Sequence, residues 1–508
     1  MSTIINTKEP IKKLENFWNS IHFHPTDAIE DDWGRRILDD VANDKVADTV
    51  RMYAMLEDIV TEKDGKLFYD FTENDVRLDY MVQKGFDVLL SYSFVPPFLA
   101  NNDFLRSSVS KNKTRYKGKM IVASYPKDYA VWQEICRVYT EHILERYGAD
   151  TVSRWYLQCY NEPDYSAFFM KEADEGRSVL DAALVRSNEY IKLYDGFSKA
   201  IELAEEKFGI SGKLCIGGPA IAGNALFLEN FVKSCVEKNT RIDFACFHSY
   251  GTHPPLILTG ELPLDVENNC KKYDDLSAIV RKYLPNVKII IDEWGACSAG
   301  FANIEEAPQL IFRETETFAC YFGKLVTRLV EKDADIKKLL ICLSGQHEMT
   351  EDFSGFRGFF TLNHIRKPIY NAYALMRKLG DTLLSHSALP ENMTLLATKN
   401  DDGKYTLLFT YSSDNFDKKL PDVSEIVMLP DEHQKKKVTI YKIDENHLNP
   451  YRVYLEKGFD KDLSEEQIQI LKDSARLCPC EIFETGGKRR VEFEITMKNN
   501  SLLLCEIE

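Results

Sequence analysis

Between residues 16 and 380, short apolar runs alternate with longer amphipathic stretches, and this rhythm constrains the fold more than any other feature. Two parallel strands cannot be joined by a tight turn. They need a crossover of about a dozen residues or more, usually a helix, so the alternation predicts a parallel sheet wrapped by helices. The strand candidates are Phe17–Phe23, Thr49–Met55, Asp87–Ser93, Arg154–Tyr160, Lys213–Gly217, Asp243–His248, Val287–Asp292 and Lys338–Leu343. Several are apolar without alternation, as strands covered on both faces should be. Eight such units are what a closed (β/α)8 barrel requires, and the expected fold class is therefore α/β.

The intervening segments carry helical signals. Thr72-Glu-Asn-Asp75 reads as a capping-box variant that opens a helix ending at Gly85, and Asp128–Tyr147 stops at Gly148. Arg186–Phe208, Leu226–Glu237, Tyr273–Tyr283, Glu306–Val330 and Pro368–Leu379 behave similarly. After Gly380 the texture changes to short β-rich runs separated by turns: Thr394–Thr398, Tyr405–Tyr411, Lys437–Lys442, Arg490–Met497 and Ser501–Ile507. These predict a β-sandwich with one helical insert, Ser464–Ala475. The expected organisation is a leader over 1–15 able to add a strand to the sandwich, a catalytic barrel over 16–380, and an accessory sandwich over 381–508. The sandwich would brace the barrel or join copies of the chain in a homo-oligomer.

A net charge of −16 argues against a nucleic-acid partner, which needs a basic face, and leaves a neutral small-molecule partner open. No run approaches the ~18 apolar residues of a membrane span, so no membrane partner is expected. The first residues lack the apolar core of a signal peptide, and the twelve cysteines form no spaced framework, which together suggest a cytoplasmic protein with reduced thiols. Cys478-Pro-Cys480 is too tight for a usual zinc pair, and His22 with His24 lacks an evident third ligand, so no metal is expected. Gly217-Gly218 lacks the remaining residues of a phosphate loop.

Functional residues of such barrels sit at the C-terminal ends of the strands. The fourth candidate strand ends in Asn161-Glu162-Pro163 and the seventh in Asp292-Glu293-Trp294, each placing a Glu at the barrel mouth. Two carboxylates facing across a cleft suit glycosidic cleavage: one attacks the anomeric carbon while the other protonates the leaving oxygen. Pro163 is expected to hold Glu162 in extended geometry. The plainer alternative for either Glu is a helix cap or an ion-pair partner.

Taken with other segments, these motifs resemble glycoside hydrolase family 39, the group of β-xylosidases and α-L-iduronidases. The matching segments include Tyr69-Asp-Phe-Thr72, Phe86 to Pro96, Trp155 to Pro163, Gly217-Gly-Pro-Ala220, Asp243 to Tyr250, Lys367-Pro368, Asp444 to Tyr451 and Leu463–Ala475. The resemblance implies that Glu162 is the general acid/base and Glu293 the nucleophile of a retaining exo-glycosidase, β-xylosidase-like first, that needs no cofactor. It further implies that Asn161 binds the sugar 2-hydroxyl, that Arg51 holds the nucleophile ionised, and that His248 and Tyr250 line the sugar site. For Arg51 the alternative is a structural ion pair, and for His248 a satisfied core residue. Trp294 would stack on a sugar or pack behind the nucleophile. Arg357 would hold a substrate carboxylate or lie solvated in a loop.

Three departures concern the glycone. Tyr53 stands where the family usually has His, the eighth strand shows no Trp, and the first strand is nearer the iduronidase pattern. An iduronidase-like or arabinosidase-like specificity therefore stays open. The rival from another class is a non-catalytic carbohydrate-binding protein on the same barrel.

Overall fold

The computed structural model describes residues 2–23, 32–108, 120–252, 264–343, 345–415, 418–486 and 490–508. Eight parallel strands close into a barrel: β1 (Ser20–His22), β2 (Thr49–Tyr53), β3 (Asp87–Tyr92), β4 (Tyr156–Cys159), β5 (Cys215–Ile221), β6 (Phe244–Thr252), β7 (Lys288–Cys297) and β8 (Lys338–Cys342). Each neighbours the next, and β8 pairs with β1 through Leu340–Ser20, Ile341–Ile21 and Cys342–His22. The strands are almost wholly buried because helices cover their outer faces. Every one of the eight expected runs overlaps a barrel strand, though β5, β6 and β7 run on past the expected ends at Gly217, His248 and Asp292.

The helices stop and start where local chemistry dictates. Asp128 accepts from the amides of Ala130 and Val131 to open Tyr129–Tyr147, and Gly148, at φ +80°, ends it. Ser178 and Asn224 cap Val179–Phe208 and Ala225–Lys238 in the same way. The expected capping box at Thr72 is not formed. Thr72 is already the first helical residue of Thr72–Gln83, its N–H donates to Asp70 Oδ1 at 3.0 Å, and Asp75 instead meets His142 Nε2 at 2.8 Å. The helix expected over Glu306–Val330 is divided. A 3-10 segment, Pro308–Glu314, precedes Glu316–Glu331, which is capped by Thr315. An amphipathic helix over Asp32–Asn43, unanticipated above, buries Ile37, Leu38 and Val41.

A further nine strands assemble beside the barrel, in the order Glu481–Thr485, Lys436–Ile443, Ser501–Ile507, Tyr405–Tyr411, Met393–Lys399, Thr382–His386, Ser2–Lys13, Val423–Leu429 and Val491–Met497. The N-terminal strand joins two halves, pairing antiparallel with Thr382–His386 and parallel with Val423–Leu429. Between the halves lies a core of its own: Leu395, Leu407, Phe409 and Leu503 face Val427, Leu429, Phe493 and Ile495. The alternate residues Leu396, Leu408, Leu502 and Leu504 point the other way and join the barrel's core. A second short helix, Pro450–Glu456, accompanies the expected insert, whose Ser464–Gln467 capping box is complete.

Close approach explains one glycine. On helix Glu316–Glu331, a Cβ at Gly323 would lie 2.6 Å from Thr410 Oγ1 and 2.8 Å from Leu502 Cδ1. Gly323→Leu is therefore expected to destabilise the barrel–sheet contact by about 1–3 kcal/mol, the usual cost of overpacking. A lower melting temperature would show it; an unchanged or higher one would mean the contact has slack.

Candidate active site

The site begins with an irregularity in β7. Ile291 lies opposite Phe247 and Glu293 opposite His248, so Asp292 is an extra residue in the ladder. Such a bulge breaks the in–out alternation of a strand. Both acids consequently reach into the barrel. Asp292 accepts from Gln158 Nε2 at 2.8 Å, and Glu293 accepts from Arg51 Nη1 at 2.7 Å. Trp294 then turns outward, into the packing position that was the second of its two expected places. Its ring stacks on Phe322 at 5.4 Å, its Nε1 lies 3.3 Å from Tyr373 Oη, and none of it is exposed.

Arg51, fully buried on β2, ties three strands together. Its Nη2 donates to Asn161 Oδ1 at 2.7 Å and to Gln158 Oε1 at 2.9 Å, and lies 3.2 Å from Asp292 Oδ2. Tyr53, two residues on, places its ring 5.0 Å from the Arg51 guanidinium and 5.5 Å from the His22 ring. Tyr250 Oη donates to Glu293 Oε2 at 2.7 Å and accepts from Arg357 Nη1 at 2.8 Å. Arg357 is only 6% exposed, so the solvated-loop alternative does not hold.

Glu162 follows β4. Its N–H donates to Ala220 O at 2.9 Å. Its φ is +46°, so the expectation that Pro163 keeps it extended is overturned: the chain reverses sharply here, with Tyr160 also at +69°. His248 Nδ1 sits 2.9 Å from Glu162 Oε1, while Nε2 lies 3.5 Å from Asp292 Oδ2 and 3.6 Å from Glu293 Oε1. His248 is fully buried and lies between the two glutamates. A carboxylate oxygen of Glu162, a ring nitrogen of His248 and a carboxylate oxygen of Glu293 all fall within 4.8 Å of one another.

The environment separates the two acids. Burial raises the Glu162 pKa and the negative charge of Glu293 adds to it, opposed by the His248 hydrogen bond. Burial would raise Glu293 too, but the charges of His248 and Arg51 and the Tyr250 hydrogen bond outweigh it and hold Glu293 well below the usual carboxylate range. Burial works against protonated His248, yet the Glu293 and Asp292 charges lift its pKa well above that of free histidine. One carboxyl is thus disposed to carry a proton and the other to stay ionised, the arrangement that divides acid from nucleophile.

The structure therefore brings Glu162, Glu293, Asn161, Arg51, Tyr53, His248, Tyr250 and Arg357 to one place. Four further residues belong to it. Gln158 and Asp292 complete the Arg51 network, and His22 Nδ1 lies 3.3 Å from Glu293 Oε1. His22 was considered above only as a metal ligand, and its companion His24 lies outside the described residues. Inward from β8, Cys342 lies beside His22 and Glu293. A Gln in the middle of a buried strand and an Asp directly before the candidate nucleophile were the available signals for the first two.

The family model described as "Glycosyl hydrolases family 39" matches residues 1–479. A Beta-xylosidase of Caldicellulosiruptor saccharolyticus is 24% identical over 500 residues, spanning 94% of this chain and 92% of that one. A Beta-xylosidase of Geobacillus stearothermophilus is 23% identical over 490 residues, spanning 90% and 86%. The crystal structure of a monomeric beta-xylosidase from Caulobacter crescentus CB15 superposes with a TM-score of 0.79 at 19% identity, covering 100% of this chain and 99% of that one, which shows the shared fold. The chain belongs to glycosyl hydrolase family 39 and is an O-glycoside hydrolase.

Tyr250→Phe tests the electrostatics. Tyr250 stabilises ionised Glu293, so its loss raises the Glu293 pKa and moves the acid limb of the kcat/KM profile to higher pH, with the alkaline limb unmoved. A hydrogen bond to a charged group is worth about 1.5–3 kcal/mol, so activity at the optimum should fall by roughly 10- to 100-fold. An acid limb that stays in place would contradict the assignment.

Proposed function

We propose that this protein is a retaining exo-glycosidase that hydrolyses small β-xylosides by double displacement. The observation that carries the reading is the close approach of two oppositely tuned carboxylates, within 4.8 Å through their nearest oxygens. Retaining glycosidases hold the pair at about 5–5.5 Å, whereas inverting ones leave about 6.5–9.5 Å for a water. In the first step a Glu293 oxygen bonds to the anomeric carbon, the glycosidic C–O bond breaks, and the Glu162 proton passes to the leaving oxygen. Forming the ester removes the Glu293 charge that had raised Glu162, so Glu162 now favours the carboxylate. It then takes a proton from water as the water oxygen displaces Glu293.

The other residues divide the remaining work. Arg51 and Tyr250 keep Glu293 ionised, and Asn161, aligned by Arg51, offers its amide to the sugar 2-hydroxyl. Support for xylose comes from the two relatives named as beta-xylosidases, each matching along at least 86% of its own length. One observation favours a second reading: Arg357, buried beside Tyr250, is a cation able to hold the carboxylate of a uronic acid, as an iduronidase-like specificity would require. We read the location as cytoplasmic, supported by twelve cysteines none of which forms a disulfide among the described residues.

The test is a panel of nitrophenyl glycosides (β-xyloside, α-arabinoside, β-glucoside, β-galactoside) with an α-iduronide analogue, run on wild type and Glu293→Ala with and without azide. The expected result is turnover of the β-xyloside, a loss on the order of 10⁴-fold in the variant, and rescue as a glycosyl azide of inverted configuration. Turnover of the iduronide alone would support the second reading. Equal activity in the variant would remove Glu293 from the mechanism.

A further inference from the structure

Two residues beyond Glu162, the carboxylate of Asp164 gathers three consecutive backbone amides of the loop after β5. Ala222 N–H donates to Oδ1 at 2.8 Å, and Gly223 and Asn224 N–H donate to Oδ2 at 3.1 and 2.9 Å. The link runs in both directions, since the Glu162 amide donates back to Ala220 O, near the end of β5, at 2.9 Å. The far side of the same loop is held as well. Lys272, on helix Val266–Tyr283, donates from Nζ to Ala222 O at 2.9 Å, and a Cβ at Gly223 would lie 2.6 Å from that Nζ. Asn224 meanwhile caps helix Ala225–Lys238 through Phe227 N–H at 3.0 Å. The loop after β5 is therefore fastened to a helix at one end and to Lys272 in its middle.

This matters because the Glu162 backbone is in a conformation that costs energy. A non-glycine residue at φ +46° directly before a proline is not held there by its own preferences, and such a geometry persists only when its surroundings over-determine it. The bonds that Glu162 makes to Ala220 and that Asp164 makes to Ala222, Gly223 and Asn224 are backbone supports that tie it to a separate segment of the chain. A charged acceptor shared by three amides is also stronger than neutral bonds of the same length.

We propose that Asp164 is a positioning residue for Glu162, clamping the acid/base loop to the loop after β5 so that the Glu162 carboxyl is aimed at the leaving oxygen. The proposal rests on the reading of Glu162 as the acid/base. A residue acting through the acid/base matters most when the leaving group needs a proton. The experiment compares kcat/KM for phenyl and 2,4-dinitrophenyl β-xylosides in wild type, Glu162→Gln, Asp164→Ala and Asp164→Asn.

For Asp164→Ala, the loss on the phenyl substrate should exceed the loss on the dinitrophenyl substrate at least tenfold. Asp164→Asn retains a carbonyl acceptor and should show the same asymmetry, smaller, which keeps the test readable if the alanine variant does not fold. Glu162→Gln should show it most strongly. Equal losses on both substrates in the Asp164 variants, with the asymmetry kept in Glu162→Gln, would overturn the clamp and leave Asp164 a merely structural residue. Equal losses in Glu162→Gln would overturn the assignment of Glu162, and the proposal with it.

Discussion

The arrangement turns on the buried guanidinium of Arg51. With none of its surface exposed, it must find all its partners inside the barrel, because an unpaired charge there is strongly destabilising. It finds them on three other strands: His22 on β1, Gln158 and Asn161 at the end of β4, Asp292 and Glu293 on β7. The geometry of a planar fork with five donors is what allows one side chain to orient so many acceptors, and a lysine could not substitute for it. The same contacts that stabilise the barrel mouth thus set the orientation of Glu293, the proposed nucleophile, and of the amide that would meet the sugar.

His248 is the complement to that fork. It touches Glu162 through one nitrogen and the Asp292–Glu293 pair through the other. Two carboxylates this close cannot both ionise cheaply, and the stabilising donors are disposed asymmetrically: of the two glutamates, Arg51 and the Tyr250 hydroxyl reach only Glu293. Glu162 is therefore the one of the two whose pKa is raised. Arg357 extends this asymmetry by orienting Tyr250, and it does so from a loop pinned by the buried Glu314–Lys367 pair, whose Glu314 accepts from Gly355 N–H at 2.8 Å.

Much of this was legible because parallel strands buried on both faces announce themselves as apolar runs, and because a barrel puts chemistry at strand ends. Glu162, Glu293, Asn161 and Arg51 could be named from position and resemblance together. What was hidden depends on local departures from regularity. The bulge at Asp292 has no sequence marker, and without it strict alternation would place either Asp292 or Glu293 inside, not both. That same bulge decides that Trp294 faces the helices. The left-handed backbone at Glu162 runs against the ordinary preference of a residue before proline. The helix over Asp32–Asn43 is legible in its Ile37, Leu38 and Val41 spacing. The hairpin at Asp64-Gly65, where both residues have positive φ, is likewise marked by its turn.

The central claim is that the two carboxylates are close enough for one to attack directly. Following the hydrolysis of an aryl β-xyloside by proton NMR, before the product mutarotates, tests it most directly. The account predicts that the first-formed xylose is the β-anomer, with the α-anomer appearing only later by mutarotation. First formation of the α-anomer would mean that a water attacks in place of Glu293, and would contradict the mechanism drawn from the site.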